Sequence, residues 1–302
     1  MMALGLDLGG TKIEAQVFAD DWQLQGRRRV ATPRSYADLL DALADMVSWA
    51  DHLAAGPVSV GIGAAGAVNP RDGRVLAANL VADGQLLPAD LVARLGRPVS
   101  YLNDSHALAL SEAVFGAGQP FASVFALVLG TGIGGGHVRD GRLQSGFSGL
   151  GGEVGHLSAP AHLVQAHGLP VVDCACGRRG CIETLISGAG LSRMAQALTG
   201  ERRSAPQIIA ARKDDARMAQ LWQVWCALAA ELVQTLVLTL DPDCILLGGG
   251  LSDIAGVVDD LTRAVALAQF DGFDCPVILR ATGGAASGAR GAAYAAWQVA
   301  HG

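Results

Sequence analysis

The chain has 302 residues, of which 51% are hydrophobic and 17% are charged, a balance that fits a compact globular protein large enough for two cores. Its formal net charge of −6 argues against a nucleic-acid or anionic-membrane surface, and we expect neither as a partner. The N-terminus shows no basic region followed by an apolar stretch, and no membrane-length apolar run is free of glycine and charge. We therefore expect a cytoplasmic protein.

The first predicted element is a β-hairpin whose tip carries groups suited to a phosphate. Residues 4–8 have the pattern of a buried strand, and residues 13–18 have that of the returning strand. The candidate phosphate-facing residues at the tip are Asp7, Gly9, Gly10, Thr11 and Lys12. Bare glycines let backbone amides approach an anion, the hydroxyl and ammonium add donors, and the carboxylate can hold Mg²⁺ through water. Taken alone, the pattern fits an ordinary tight hairpin equally well.

Strands and helices then alternate, but the order differs from that of common nucleotide-binding folds. The elements predicted up to residue 102 are a third meander strand over 30–33, a helix over 35–53 capped by Ser35, strands over 58–62, 74–79 and 99–102, and a helix over 89–95. Small residues in the loop over 61–70 leave room for a ligand, although a packed crossover turn has the same composition. Neither the dinucleotide-binding nor the P-loop glycine fingerprint is present.

An aspartate follows the strand over 99–102, at the start of a helix predicted over 105–115. Asn103 and Asp104 occupy this junction. A carboxylate here is usually a helix cap. The junction also lies outside the carboxyl end of a strand, where open α/β sheets place ligand groups.

The second half repeats the opening plan after a boundary over 116–120. A strongly apolar strand over 121–129 is followed by a Gly/Thr turn and a second strand at 137–138. The candidate phosphate-binding residues of this turn are Gly130, Thr131, Gly132, Gly134 and Gly135. This internal echo suggests two lobes built on one plan.

The remaining elements are mostly helical. They are helices over 188–198, 205–212 and 216–240, strands over 244–247 and 277–279, a helix from about 253, and a C-terminal helix rich in small residues. The loop that follows residue 247 contains Gly249, and its backbone suits an adenosine or its α-phosphate as well as it suits a simple helix entry.

A cluster of metal-ligating residues stands between these halves. Its members are His156, Cys174, Cys176 and Cys181, flanked by Glu153 and Glu183. One imidazole and three thiolates form the ligand set of a closed tetrahedral zinc site, and Gly177 and Gly180 allow the sharp turns that such a site needs. Unrelated buried thiols or a disulfide are the alternatives. Clustered thiols without an export signal favour a reducing compartment and a metal.

Several motifs together resemble the ROK family of sugar kinases and repressors. They are D-L-G-G-T-K at 7–12, N-D at 103–104, L-G-T-G-I-G-G-G at 129–136, E-V-G-H at 153–156 and C-A-C-G-R-R-G-C-I-E at 174–183. The resemblance covers essentially the whole chain. Residues 76–95, 109–113 and 245–252 are most similar to members that act on N-acetyl-D-glucosamine.

The resemblance implies a two-lobed, actin-like and hexokinase-like α/β ATPase fold with ATP and Mg²⁺ held between the loops at 5–12 and 129–136. It further implies transfer of the γ-phosphate to the sugar 6-hydroxyl, with Asp104 as general base and His156 as both zinc ligand and sugar contact. The sugar-binding positions it implies are Gly66, Asn79, Asn103, Asp104, Glu153, His156 and Glu183. We expect a first lobe over 1–116 with the helix at 286–302, a second lobe over 117–285, and a homodimer.

Two residues depart from the usual pattern of the family, and both concern the sugar pocket. Ala65 replaces a proline, and His106 replaces an asparagine; we expect His106 to pack near the helix start. The choice among N-acetylglucosamine, glucose, fructose and N-acetylmannosamine therefore stays open. A sugar-sensing repressor is disfavoured by the negative charge and by the first strand at residue 4, and an inactive binding protein is disfavoured by the intact Asp7 and Asp104.

Overall fold

The computed structural model describes residues 2–77, 80–284 and 287–301, and the chain forms two compact units. The first unit comprises Met1–Pro120, Gly136–Gly152 and Thr282–Gly302, and the second comprises Phe121–Gly135 and Glu153–Ala281. We expected residues 136–152 in the second lobe, but they pack in the first unit. Gly136 lies so close to Ala109 that an added Cβ would stand 2.7 Å from the alanine methyl, and the His106 ring bonds the carbonyl of Gly151.

The secondary structure follows the sequence pattern closely. The strands are β1 (Ala3–Leu8), β2 (Lys12–Phe18), β3 (Leu24–Ala31), β4 (Ser59–Ala64), β5 (Ala67–Val68), β6 (Val75–Leu76), β7 (Val99–Asn103), β8 (Ser123–Leu129), β9 (Ile133–Arg139), β10 (Arg142–Leu143), β11 (Cys244–Gly248) and β12 (Val277–Arg280). The helices are α1 (Tyr36–Ala54), α2 (Leu87–Leu95), α3 (Asp104–Phe115), α4 (Ala161–Ala166), α5 (Glu183–Ile186), α6 (Gly188–Thr199), α7 (Ala205–Ala211), α8 (Ala216–Leu240), α9 (Val257–Ala268) and α10 (Ser287–His301).

Two five-stranded sheets repeat one strand order. The first sheet runs β3-β2-β1-β4-β7 and the second runs β10-β9-β8-β11-β12. In the first, β1 is antiparallel to β2 and parallel to β4, which is parallel to β7. In the second, β11 is parallel to both β8 and β12. The repeated order confirms the internal echo read from the sequence.

The first unit buries one face of its sheet under α1. The helix has its buried residues at helical spacing, and the Ser35 hydroxyl oxygen accepts the Asp38 amide at 3.2 Å, which confirms the predicted cap. The meander strand β3 begins at Leu24, six residues before the predicted start. The sequence did not predict the first part of β3, because most of its residues are exposed and polar and so lack the apolar alternation of a half-buried strand.

Helix α10 lies directly on the backbone of β1 and β4. A Cβ on Gly5 would stand 1.7 Å from the Ala289 carbonyl oxygen, and one on Gly61 would stand 1.9 Å from that of Ala292. Glycine is therefore required where the helix crosses each strand. The small-residue helix predicted at the C-terminus thus joins the first unit, as expected.

A buried carboxylate fixes the segment that leads into α10. Glu112, on α3, is fully buried and accepts hydrogen bonds from the amides of Thr282 and Gly283 at 2.9 and 2.7 Å, and from the Ser287 hydroxyl at 2.7 Å. Burial alone would raise the pKa of Glu112, but these donors lower it below its usual value. The carboxylate is therefore held ionised, and it joins α3 to the start of α10.

The second unit is built around α8, which is long and apolar enough to cross a membrane. Within the part of the chain that the structure describes, 56% of its most apolar window is buried, which is typical of a core helix in a globular unit. The helix predicted from about residue 253 begins later. A single 3₁₀ turn spans Gly250–Asp253, and α9 begins at Val257, after Gly256 with its positive φ of 80°.

Candidate active site and metal centre

Three parallel strands of the first unit end side by side at one edge of the sheet. Asp7 on β1 is in register with Gly63 on β4, and Ala64 is in register with Asn103 on β7. Two strand spacings place the ends of β1 and β7 about 10 Å apart. Asp7 and the Asn103-Asp104 pair therefore meet at the carboxyl edge, where open α/β sheets bind ligands.

The carboxylate of Asp7 lies in an electrostatically unfavourable place. Burial, reinforced by the negative charges of Asp104 and Glu14, raises the pKa of Asp7 to about 6, although Lys12 acts in the opposite direction. The first turn of α10 approaches it closely, because a Cβ on Gly288 would stand 3.2 Å from its carboxyl carbon. A group of acids that repel one another in this way is suited to hold a cation.

We expect Asp7→Asn to stabilise the metal-free protein at pH 8. The pKa of Asp7 rises from 3.8 to about 6 on folding, so the unfolding free energy of the unchanged protein falls as pH increases from about 4 to about 6. The variant escapes this loss, which is worth about 1–3 kcal/mol after allowance for partial exposure. Urea unfolding at pH 4 and pH 8 in magnesium-free buffer measures the difference.

The control for this experiment is Asp45→Asn, which removes an exposed carboxylate from α1. It should shift stability by less than about 0.5 kcal/mol at either pH. An Asp7→Asn protein that is less stable than the unchanged protein at pH 8 would show that the carboxylate is not strained.

Asp104 is not the N-terminal cap of α3, although its position in the sequence suggested that role. The cap of α3 is Asn103, whose side-chain oxygen accepts the Ser105 amide at 2.8 Å. One oxygen of Asp104 accepts the same amide at 2.8 Å, but the residue is exposed. Asn103 also donates to the Gly66 carbonyl at 3.0 Å and so braces the neighbouring loop. The arrangement leaves an oriented, accessible carboxylate at the sheet edge.

The hairpin tip presents its donors to solvent. The Gly9 amide bonds the Lys12 carbonyl at 3.0 Å, which closes the turn and leaves Gly10, Thr11 and Lys12 exposed. Thr32, which the sequence did not single out, supports the tip by donating its hydroxyl to the Gly9 carbonyl at 2.6 Å. The predicted sugar residue Asn79 lies outside the described residues.

The glycine-rich turn of the second unit is held by a carboxylate. Glu183 accepts the Ile133 amide at 2.7 Å, and its oxygen would stand 3.0 Å from a Cβ on Gly132. The Gly130 carbonyl in turn accepts the Gly188 amide at 2.9 Å. The turn is therefore rigid, with Thr131 and Gly132 exposed at its tip.

Two of the predicted phosphate-binding glycines lie in a strand rather than at the tip. Gly134 and Gly135 belong to β9, and a Cβ on Gly135 would stand 2.4 Å from both the Ala126 carbonyl oxygen and the Phe125 ring. Gly135 is therefore required for the close packing of β9 against β8. Gly249, with φ of 79°, lies against the backbone of Leu129, the residue before the turn. It thus lies beside the same turn, a proximity that the sequence did not indicate.

The four predicted metal ligands converge. The ligating atoms of His156, Cys174, Cys176 and Cys181 all lie within 4.8 Å of one another. The separation is 3.6 Å between Cys174 Sγ and His156 Nδ1, and 3.7 Å between the sulfurs of Cys176 and Cys181. A tetrahedral zinc ion with bonds of about 2.3 Å to sulfur and about 2.0 Å to nitrogen requires sulfur–nitrogen and sulfur–sulfur separations of about 3.5 and about 3.8 Å, respectively. The donor set therefore fits zinc in chemistry, and these two separations fit it in spacing.

The loop that carries the cysteines has the predicted turns. Gly177 and Gly180 adopt φ of 82° and 76°, and the Cys174 amide bonds the Arg178 carbonyl at 2.7 Å. Burial and the neighbouring thiols raise the pKa of Cys181 to about 12. A cation at this point would offset the repulsion between the thiolates.

Two carboxylates flank this cluster: Glu153 lies near His156, and Glu183 lies near Cys174 and bonds the glycine turn. The second ring nitrogen of His156 lies 3.7 Å from a Glu153 oxygen, while the Cys174 sulfur lies 3.9 Å from Glu183. Glu183 thereby touches both the cysteine loop and the turn at residue 133. This gives a physical route by which a metal in the loop would orient the carboxylates.

The sequence analysis did not single out two polar residues near the site, Tyr101, which is partly buried, and Glu112, which is fully buried. Both stand in elements that mix polar and apolar residues, so no local sequence pattern predicts the burial of their side chains.

The repeated sheets and the two units define the class of the protein: it has the two-lobed, actin-like ATPase fold. The chain belongs to the ROK family, whose sequence profile matches residues 3–299.

Its relatives match it over nearly their whole length. It is 39% identical to an N-acetyl-D-glucosamine kinase of Mannheimia succiniciproducens, over 97% of this chain and 98% of that one. It is also 39% identical to an N-acetylgalactosamine kinase of a Shewanella species, over 97% and 96%. A solved ROK hexokinase from Thermus thermophilus is 33% identical and superimposes with a TM-score of 0.88, over 100% of both chains.

Proposed function

We propose that the protein is a kinase that transfers the γ-phosphate of ATP to the 6-hydroxyl of N-acetyl-D-glucosamine, giving N-acetyl-D-glucosamine 6-phosphate and ADP. The observation that carries the proposal is the accessible Asp104 carboxylate at the sheet edge, beside Asp7, in a chain of the ROK family. The names of the relatives support both the reaction and the acetylated sugar.

Asp104 supplies the general base. Its carboxylate accepts the proton of the sugar 6-hydroxyl as that oxygen bonds to the γ-phosphorus and the bond to the β-phosphate oxygen breaks. Phosphoryl transfer otherwise requires positioning and charge neutralisation. The amides of Gly10 and Thr11 and the Lys12 ammonium are proposed donors to phosphate oxygens, and the turn at Thr131 and Gly132 offers backbone donors of the same kind.

Two metal ions fit the residues present. Asp7 would hold Mg²⁺ through water, and Mg²⁺ would supply neutralisation of the phosphate oxygens. The four-ligand cluster would hold zinc as a structural ion that fixes the ring of His156 and the carboxylates beside it. With Nδ1 facing the sulfurs, Nε2 of His156 stays available to a sugar hydroxyl. Glu153, Glu183 and Asn103 are further proposed sugar contacts. Gly66 is proposed with them, and its carbonyl accepts a hydrogen bond from the Asn103 side chain.

A second substrate is favoured by one relative, the N-acetylgalactosamine kinase. N-acetylglucosamine and N-acetylgalactosamine share the 2-acetamido group and differ only in the orientation of the 4-hydroxyl. A repressor or inactive binding protein is less consistent with the exposed base and the two rigid turns. The homodimer and the cytoplasmic location remain predictions from the sequence.

Steady-state kinetics on zinc-replete protein with MgATP test the proposal. The panel is N-acetylglucosamine, N-acetylgalactosamine, N-acetylmannosamine, glucose and fructose. We expect kcat/KM for N-acetylglucosamine to exceed that for glucose at least tenfold, or about 1.4 kcal/mol in transition-state binding. A lead for glucose or fructose would contradict the acetylated substrate, and no turnover on any sugar would contradict the kinase.

A further inference from the structure

A hollow of about 560 Å³ lies in the first unit beside the tip of the β1–β2 hairpin. Its lining residues are Gly10, Thr11, Ala31, Thr32, Pro33, Arg34 and Val81. Gly10 and Thr11 carry amides that the proposed function assigns to phosphate oxygens. Another part of the wall is the segment that follows β3, for which the proposed function has no role.

The segment after β3 stands at the same edge of the sheet as the proposed catalytic residues. Strand β3 is antiparallel to β2, and β2 is antiparallel to β1, so β3 runs in the direction of β1, β4 and β7. Its last residue, Ala31, is in register with Lys12 of the hairpin. Two strand spacings, or about 10 Å, separate β3 from β1. Residues 32–34 therefore lie at the carboxyl edge, on the side of the hairpin away from Asp104.

Hydrogen bonds hold this segment against the hairpin tip. The Thr32 amide donates to the Thr11 carbonyl at 3.1 Å, and the Thr32 hydroxyl donates to the Gly9 carbonyl at 2.6 Å. On the other side of Arg34, Ser35 caps α1. The backbone that carries Arg34 is therefore fixed at both ends, as a binding residue requires.

The guanidinium of Arg34 is the charged group of the hollow. Among the residues that the structure describes, it has neither an ion pair nor a hydrogen bond, whereas Arg27 and Arg29 on β3 both pair with Glu14. None of the described lining residues is acidic. A hollow that combines a free cation with backbone amides and has no opposing carboxylate attracts an anion.

We propose that Arg34 binds the terminal phosphates of ATP in the hollow beside the hairpin tip. The inference rests on the proposed kinase activity and adds to it a substrate-binding side chain. The planar guanidinium bonds two phosphate oxygens at once, which a lysine ammonium cannot match in geometry. Because Arg34 lies on the side of the hairpin away from Asp104, it acts on the nucleotide and leaves the sugar to the residues near the base.

The test compares Arg34→Gln with the unchanged protein in steady-state kinetics with MgATP and N-acetylglucosamine. Loss of a charge-assisted hydrogen bond should raise KM for ATP about tenfold, while KM for the sugar stays within twofold. Arg34→Lys keeps the charge but loses the fork, so its KM for ATP should lie between the two. The matched control is Arg28→Gln, which removes an exposed arginine of β3 that has no ion pair among the described residues. It should change neither constant more than twofold.

Calorimetric titration without sugar gives a readout that a merely structural role would not produce. The probes are the β,γ-imido analogue of ATP, added with Mg²⁺, and adenosine. Arg34→Gln should weaken binding of the analogue about tenfold and leave that of adenosine within twofold, because only the analogue carries phosphates. An equal loss for both probes would show that the variant disturbs the nucleotide site as a whole and would overturn the inference.

The two possible failures are distinguishable. If the unchanged protein phosphorylates a sugar but Arg34→Gln keeps a normal KM for ATP, the assignment of Arg34 is wrong and the kinase proposal stands. If the unchanged protein phosphorylates no sugar, the kinase proposal is wrong, and the titration alone decides on Arg34. Weaker binding of the analogue by Arg34→Gln would then support the assignment, and equal or absent binding in both proteins would overturn it.

Discussion

Replacing Asp104 by asparagine should reduce kcat by about 10²–10⁴ while the affinity for sugar changes little. Loss of a general base costs a factor in this range. Asparagine has the same shape and can still accept the Ser105 amide, so α3 should begin at the same residue. The cap itself is Asn103 and is untouched. Single-turnover kinetics with MgATP, together with calorimetric titration of N-acetylglucosamine, separate the chemical step from binding.

The control for this variant is Asp38→Asn. Asp38 is also an exposed first-turn acid of a helix in the same unit, where it accepts the Ser35 hydroxyl at 2.6 Å. Its replacement should leave kcat within twofold. Turnover within tenfold of normal in Asp104→Asn would show that another group takes the proton.

Replacing Cys176 by serine should remove the zinc and weaken sugar binding. The hydroxyl of serine is a far poorer zinc ligand than a thiolate, and the three remaining ligands leave the tetrahedron open. Glu183 contacts both the cysteine loop and the turn at Ile133. Disorder in the cysteine loop should therefore displace the Glu183 carboxylate and the turn that it bonds. We expect zinc content, measured by plasma mass spectrometry, to fall from about one to below about 0.1 per chain. The sugar KM should rise about 10- to 100-fold.

Cys275→Ser provides the comparison, because Cys275 is a partly buried thiol outside the ligand cluster. It should keep full zinc content and normal kinetics. A Cys176→Ser protein with full zinc and an unchanged KM would contradict the view that the metal organises the sugar site.

The sequence predicted the elements whose residues carry a local signal. The buried strands β1, β4, β8 and β11 and the helices α1 and α8 all appear near their expected bounds, since apolar periodicity determines them. The exposed part of β3 and the short α4 carry no such signal and were missed. Helix α9 begins later than predicted because a 3₁₀ turn over Gly250–Asp253 comes first, and the glycine-rich sequence there does not distinguish such a turn from the start of a helix.

The site shows the same division. The cluster of candidate metal ligands and the glycine turns were recognisable because spacing and residue type alone constrain them. The role of Gly135 was not, because it depends on which residues lie opposite in space. Likewise, residues 136–152 join the first unit through contacts of Gly136 and Gly151 with α3. These contacts link distant parts of the chain, so no local sequence pattern predicts them.

The most direct test of the account is the identity of the product. The protein should be incubated with MgATP and N-acetylglucosamine, and the product examined by ¹H–³¹P correlation spectroscopy. We expect the phosphorus to couple to the two protons on C6, as transfer to the 6-hydroxyl with Asp104 as base requires. Coupling to the anomeric proton, or ADP formation without any phosphorylated sugar, would contradict the account.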